Sequence, residues 1–529
     1  MSFENEIMSF ESEHNFEITC PYCFRKMLDC EVLFRSEKVN QGEPDILPDE
    51  YDDMEDFQAR YRGPDKEKIL SKYYDWEFFA ETEDPVYEAF WANFNGTTEY
   101  NPADEVLRVK AYRRRIIDPA KQAHQKYLKK QDNGDYFIYD DQGMVTQIEL
   151  VTGETCNRRV CRHCHNPLPD NYGKHTVKFA TVVGITGAGK TVYLSQLLKR
   201  MKTYAVKVGL SAIVNNTGVR TFLENNAILA NEPLPGSTPA TRFQQPLFYE
   251  MVRDAKEYGR VTETFVLYDV AGEVFTSSSL VNKFAPFVEH ADGVIVLIDP
   301  MQFDVVSGVM NHGNRLDEPA TVLDIMQTIW CRNRDNEKCD IPFAVCISKA
   351  DTQAVQNVLS ENLKRMLLDD VCGIKDESGF NRPLFNAQEY NPILNELYKF
   401  IQSNELVLAQ QMQTNYSAYA YFAFTALGCD VGEGTRPNGD KYQFPVGPVL
   451  PKRVEEPLLW LFHKLGYIGV NVPIDDPTKP KVPCPNCNSL DTEDIPEDEQ
   501  YVTSGWGPFK KRLHVTRRCR CCGYCWEHI

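Results

Sequence analysis

Between residues 184 and 191 the chain reads Gly184-Ile-Thr-Gly187-Ala188-Gly189-Lys190-Thr191, a G-x-x-x-x-G-K-T spacing. Glycines let the backbone wrap so that successive N–H groups point inward at phosphate oxygens, and the turn opens a helix whose positive end faces the same anion. Gly184, Gly187, Ala188, Gly189, Lys190, Thr191 and Val192 are therefore expected to cradle a nucleotide's phosphates. Lys190 would reach the β- and γ-phosphates, and the Thr191 hydroxyl would ligate Mg²⁺.

Four further stretches stand in the order that a guanine-nucleotide site requires. Leu234-Pro-Gly-Ser237-Thr238-Pro-Ala-Thr241 is a candidate switch segment, with Thr238 taken as the residue that senses the γ-phosphate and Ser237 and Thr241 as alternatives. Asp269-Val-Ala-Gly272-Glu273 ends an apolar run. A carboxylate there can hold Mg²⁺, and the Gly272 N–H can bond the γ-phosphate. Ser348-Lys349-Ala350-Asp351 ends another. Asp351 would accept from guanine N1–H and N2–H₂, where adenine presents an acceptor and lacks the 2-amino group, and the Lys349 stem would lie on the base face. Ser348 can make few hydrogen bonds to tie its loop. Thr425-Ala426-Leu427 follows a fourth apolar run and offers backbone N–H groups to guanine O6.

A second chemistry lies in cysteine pairs. Cys20-Pro-Tyr-Cys23 and Cys161-Arg-His-Cys164 each place two thiolates at the spacing that lets both meet one ion, and together they would form a Cys₄ zinc site. Residues 24–160 intervene, read as an insertion into a small zinc ribbon, with Cys30, Cys156, His163 and His165 as alternative ligands. Cys484-Pro-Asn-Cys487 and Cys519-Arg-Cys-Cys522 form a second such set, with Cys521 and Cys525 as surplus or alternate ligands. Between them, KKRLHVTRR reads as one basic strand (Lys510, Lys511, Arg512, Arg517, Arg518, Arg520), able to meet nucleic acid but favoured as a folding staple or protein-docking surface.

The elements that must position these groups follow a repeated pattern. Apolar β-rich runs at 179–183, 265–268, 293–298, 343–347 and 421–424 alternate with helical stretches. The expected fold is α/β, a mostly parallel sheet with helices on both faces and small zinc ribbons at both ends. Residues 1–175 form the N-terminal knuckle module, 176–470 the nucleotide domain and 471–529 the C-terminal ribbon. Within the insertion, an acidic and aromatic half (43–105) precedes a basic one (108–130), and the two are expected to pair. YFIYDDQGMVTQIELVTGE reads as a β-hairpin.

Across 529 residues the formal net charge is −19, which argues against a general nucleic-acid surface. The acidic start MSFENEIMSFESEHNFEIT carries no apolar core of a secretory leader. The longest apolar run, 293–298, is far short of the roughly 20 residues a membrane helix needs. Seventeen cysteines, mostly in C-x-x-C pairs, point to metal and a reducing, cytoplasmic setting.

The ordered set GITGAGKT, DVAG, SKAD and TAL resembles the TRAFAC-class GTPases over residues 176 to about 470. With cysteine knuckles ahead of the phosphate loop and the final helix of PKRVEEPLLWLF, the layout is similar to the bacterial double-GTPase families of predicted conflict systems. The resemblance implies a GTP- and Mg²⁺-dependent switch acting with protein effectors or a partner GTPase, and not a membrane protein. Glu273 stands where many of the class carry the glutamine that orients the attacking water. A carboxylate cannot donate to the γ-phosphate, so hydrolysis is expected to be slow unless an arginine from a partner, Arg220 or Arg242 assists.

Overall fold

A computed structural model of the chain describes residues 16–40, 66–95, 113–184, 187–207, 209–213, 217–236, 246–255, 259–270, 272–276, 278–308, 319–331, 338–376, 382–478, 484–487, 492–495, 500–504, 511–519 and 521–527. Its centre is a seven-stranded sheet. The strands are β1 (Val177–Gly184), β2 (Leu210–Ile213), β3 (Leu247–Ala255), β4 (Gly259–Asp269), β5 (Gly293–Ile298), β6 (Phe343–Ile347) and β7 (Tyr419–Ala423), in the spatial order β2-β3-β4-β1-β5-β6-β7. β4, β1, β5, β6 and β7 are mutually parallel, and only β3, antiparallel to β2 and β4, runs against the others. Every residue of β5 and of β6 is buried, which is why both read as unbroken β-branched and apolar runs.

The helices between and after these strands include α1 (Lys190–Lys207), which carries site residues, α2 (Pro319–Cys331), α3 (Ala387–Asn404) and α4 (Glu456–Lys464). Alternation along β4 shows two covered faces. The Phe265 ring lies 4.4 Å from Phe462 of α4, while Tyr268, three residues on, stacks at 4.1 Å on Phe287 in the short turn Pro286–His290. Gly293 lets α4 approach β5, because a Cβ there would sit 3.1 Å from Leu461.

The insertion folds back on the knuckles. Leu33–Arg35 pairs antiparallel with Ile116–Ile117 on one side and Arg159–Val160 on the other. Its acidic and basic halves do pack together: Phe78 stacks on Tyr127 at 3.8 Å, and the Arg115 guanidinium stands 4.9 Å over the Phe78 ring. Arg35 and Asp84 form a buried pair at 2.7 Å, and His165 Nδ1 lies 2.8 Å from the same carboxylate. Burial alone would raise the Asp84 pKa, but His165 and Arg35 outweigh it and hold the carboxyl low. The expected hairpin forms, Phe137–Tyr139 against Val145–Glu149.

At the C-terminal end, Thr492–Asp494, Arg517–Cys519 and Cys525–Trp526 make a small antiparallel sheet. KKRLHVTRR is not one basic strand: Lys511–His514 pairs instead with Tyr501–Ser504, and Arg517 is buried. A long hairpin absent from the sequence reading, Asp430–Thr435 with Lys441–Val446, leaves the sheet just after Thr425. No helix among the described residues is long and apolar enough to cross a membrane.

Candidate functional site

β1 delivers the glycine-rich turn to the C-terminal end of the sheet between β4 and β5. Gly184 has no room for a side chain, since a Cβ would stand 2.8 Å from the Leu297 carbonyl oxygen of β5 and 3.2 Å from Lys190 Cγ. Gly187 (φ 84°) and Gly189 (φ 78°) take the left-handed conformation that the wrap requires. Lys190 opens α1, is 8% exposed and donates from Nζ to the Gly184 carbonyl at 3.0 Å, folding its chain over the turn. Burial pushes its pKa down, opposed by the nearby charges of Asp269 and Glu273. Ala188 is buried, and Val192 is partly so. Ile185 and Thr186 lie outside the described residues.

The neighbouring strand supplies the carboxylate. β4 pairs in parallel with β1 so that Asp269 is opposite Val182, and Thr191 Oγ1 donates to Asp269 Oδ2 at 3.0 Å. That contact joins two oxygens of the kind a hard divalent cation takes, at the mouth of the glycine turn. Beyond Asp269, Gly272 is buried and Glu273 exposed in the turn Gly272–Thr276. Ser237, Thr238, Thr241 and Arg242 lie outside the described residues. Arg220 is exposed on the helix Thr217–Asn225, where its Nε donates to Glu224 at 2.9 Å.

On the other side of β5, the loops after β6 and β7 run side by side. Ser348 donates both its N–H and its hydroxyl to the Ile298 carbonyl, each at 3.0 Å, so this serine ties its loop to the end of β5. Ala350 N–H donates to Phe424 O at 3.1 Å, which fixes the 348–351 loop against the 425–427 turn. Thr425 pairs through its backbone with Lys452, its Oγ1 accepts from Gly428 N–H, and Leu427 O accepts from Leu450 N–H. Ala426 is half-buried and Asp351 is exposed at the loop tip.

Asp299, the residue after β5, escaped the sequence reading as a site residue. Its Oδ2 accepts from Lys349 Nζ at 2.8 Å, its Oδ1 accepts from Met301 N–H at 3.0 Å, and a Cβ on Gly187 would stand 3.4 Å from that Oδ2. One carboxylate thus stands beside the glycine turn and holds Lys349 of the 348–351 loop, with Lys349 in the left-handed region at φ 53°. The only signal in the sequence was an apolar run stopping at Asp-Pro.

The cysteines gather as two groups. Cys20 Sγ lies 3.7 Å from Cys164 Sγ, Cys23 the same distance from Cys161, and all four sulfurs fall within 4.8 Å of one another. Cys484–Cys522 at 3.7 Å and Cys487–Cys519 at 3.5 Å repeat the arrangement. A tetrahedral ion with Zn–S bonds of about 2.3 Å separates its sulfurs by about 3.8 Å, so both groups could hold zinc. Backbone N–H groups point at the sulfurs, from Tyr22 to Cys20, His163 to Cys161 and Asn486 to Cys484. Burial pushes the Cys20 thiol up, while contacts with its neighbours, Cys161 first, bring Cys23 down. The Asn486 amide and the Tyr524 N–H hold Cys522 at about 6. The alternative ligands stand apart: Cys156 donates to Arg35 O, His165 binds Asp84, and Cys30, His163, Cys521 and Cys525 are outside the groups.

No known family profile matches the chain. Over 155 residues it is 25% identical to SaeC of Mycolicibacterium smegmatis, a protein named for ESX-1 scaffolding and assembly, a stretch that is 28% of this chain and 39% of that protein. The chain thus matches about two fifths of the length of this curated relative. Among solved structures it is similar to the GTP-bound GTPase-like domain of S. cerevisiae Ski7, with 13% identity over 56% of this chain and 51% of that one and a TM-score of 0.27. It is also similar to the Trypanosoma brucei small GTPase Arl6 BBS3 with bound GppNp, with 12% identity, 55% and 97% coverage and a TM-score of 0.23. The signal recognition particle receptor SRb-GTP/SRX complex of Chaetomium thermophilum gives 16%, 48%, 93% and 0.24 in the same order. At TM-scores so far below one half, these likenesses say nothing of what this chain binds.

Proposed function

We propose that the chain binds GTP with magnesium, hydrolyses it slowly, and changes its grip on protein partners as it does so. The observation that carries this reading is the Thr191–Asp269 contact at the mouth of a glycine turn that opens a helix. In the reading, residues 176–470 form a GTPase domain of the TRAFAC kind, between a knuckle module (1–175) and a ribbon (471–529) that each take one zinc.

The backbone of residues 187–192 holds the phosphates, and Lys190 swings its ammonium from the Gly184 carbonyl to the β- and γ-oxygens. Thr191 and Asp269 hold the magnesium, which when bound neutralises charge on the transferring phosphoryl group. Gly272 N–H meets the γ-phosphate, and Thr238 is the candidate sensor on the opposite side. Asp351 selects guanine, while Thr425, Ala426 and Leu427 line the other edge of the base. Glu273 accepts from the attacking water but donates nothing, which leaves hydrolysis waiting for a partner's arginine.

The likeness to a scaffolding and assembly protein supports protein partners, as does the resemblance to double-GTPase families of bacterial conflict systems. The clustered thiols support a reducing, cytoplasmic setting. Glu273 favours one further reading, a scaffold that keeps its nucleotide intact. Purified protein and Lys190→Ala, titrated with fluorescent GTP and ATP analogues and followed for phosphate release, test all of this. Selective GTP binding that Lys190→Ala abolishes supports the reading, and GTP intact after long incubation makes the protein a scaffold. ATP binding equal to GTP, or no binding, refutes it.

A further inference from the structure

The N-terminal knuckle is built into the rear of the nucleotide centre. Tyr268 directly precedes Asp269, is fully buried, and donates its hydroxyl at 2.6 Å to the carbonyl of Pro21, which lies between Cys20 and Cys23. Its ring stacks on Phe287 at 4.1 Å with an interplanar angle of 3°. Phe24, the residue after Cys23, lies in the left-handed region at φ 56°, which a phenylalanine keeps only when its surroundings hold it there. Its ring stacks on His290 at 4.9 Å and meets Phe179 of β1 at 5.7 Å and Tyr268 at 6.1 Å. The knuckle therefore touches the strand that leads into the phosphate turn, the strand that ends in Asp269, and the Pro286–His290 turn that follows the Gly272 segment.

We propose that the Cys20–Cys23–Cys161–Cys164 group is a regulatory site of the nucleotide centre, with Tyr268 the positioning residue through which metal occupancy and nucleotide binding reinforce each other. This rests on the GTP and zinc reading above. With an ion in the four-sulfur group, the 20–24 turn is rigid and the Pro21 carbonyl stays in place for the Tyr268 hydroxyl. Without it, four clustered thiols, three of them buried, lose their common partner, and the turn loosens under Phe24 and Tyr268. The end of β4 then loses its brace one residue before the carboxylate that faces Thr191. Linkage makes the effect mutual: whatever factor the ion adds to nucleotide affinity, the nucleotide adds to ion affinity.

The test uses the full chain carrying Cys487→Ser and Cys522→Ser, so that only the N-terminal group binds zinc. Zinc release to a colorimetric chelator is timed with and without saturating GppNp and Mg²⁺, and binding of a fluorescent GTP analogue is followed in the same samples. The nucleotide should slow release by about fivefold or more. Tyr268→Phe should keep one zinc and a cooperative melt yet lose most of that protection, and Phe24→Leu serves the same purpose should Tyr268→Phe fold poorly. Equal release rates with nucleotide demonstrably bound overturn the proposal and leave the GTP reading standing. Failure to bind nucleotide with zinc in place removes both.

Discussion

Asp299→Ala tests whether the carboxylate that joins two loops matters for binding or only for folding. The substitution removes the acceptor for Lys349 Nζ and for Met301 N–H. The lysine side chain is 40% exposed and the aspartate 11%, so the ion pair is partly screened and contributes about 0.5–1 kcal/mol. Loss of the cap on the turn Pro300–Gln302 adds about 1 kcal/mol. Urea unfolding should therefore show a deficit of about 1.5–2 kcal/mol. Binding is affected differently: a released Lys349 must be ordered again by the nucleotide, at up to about 2 kcal/mol of rotamer entropy, which weakens GTP about tenfold to thirtyfold. Asp299→Asn retains an oxygen for Met301 but not the charge for Lys349, so it should recover most of the stability and little of the affinity. If Asp299→Ala is destabilised as expected yet binds a fluorescent GTP analogue like the wild type, the link between the loops has no part in recognition.

Arg453→Met strands Glu456, its fully buried ion-pair partner, and should cost about 3–5 kcal/mol at pH 8. Burial raises the Glu456 pKa and Arg453 lowers it, so the variant's carboxyl moves higher still. A raised acid binds its proton more tightly in the folded state, so stability is present below the unfolded pKa and is lost as pH rises through the folded one. The deficit should thus shrink toward pH 5, and parallel stability curves for the two proteins would contradict the assignment. On the proposed guanine reading, Asp351→Ala would remove two hydrogen bonds to a charged group, and competition binding should show the GTP-over-ATP preference falling about a hundredfold. Gly184→Ala forces its Cβ to 2.8 Å from a backbone oxygen and should lower stability by about 1–3 kcal/mol in a thermal melt. Gly189→Ala, whose Cβ meets none of the described atoms within 4 Å, should cost only about 1–2 kcal/mol from its φ of 78°.

Much of the candidate site was legible because its chemistry is local. A glycine turn followed by Lys190 and Thr191 announces itself within eight residues, and each C-x-x-C pair carries its own turn. The alternation of apolar runs with helical stretches was enough for an α/β sheet, since buried parallel strands must be apolar on both faces. Ser237, Thr238 and Thr241 lie outside the described residues. Less local features were not legible. The hairpin Asp430–Val446 accepts backbone hydrogen bonds from Asn231 and from Leu234, the first residue of the candidate switch segment, and nothing in either stretch names the other.

Which groups are available can be read along the chain: the glycine turn, the acid at 269, the S-K-A-D loop and eight paired thiols. So can the strands that end in them, because strand propensity and turn chemistry act over a few residues. Which groups share a carboxylate, a carbonyl or a common set of sulfurs is settled by the folding of the whole chain. Asp299 meets Lys349 because β5 and β6 are neighbours, and Cys20 meets Cys164 across 144 positions because the insertion returns to its own base. Tyr268 reaches Pro21 because alternation turns it to the face opposite Phe265. Contacts of that kind depend on strand order and on which face a side chain takes, and neither is written in the spacing of residues along the chain.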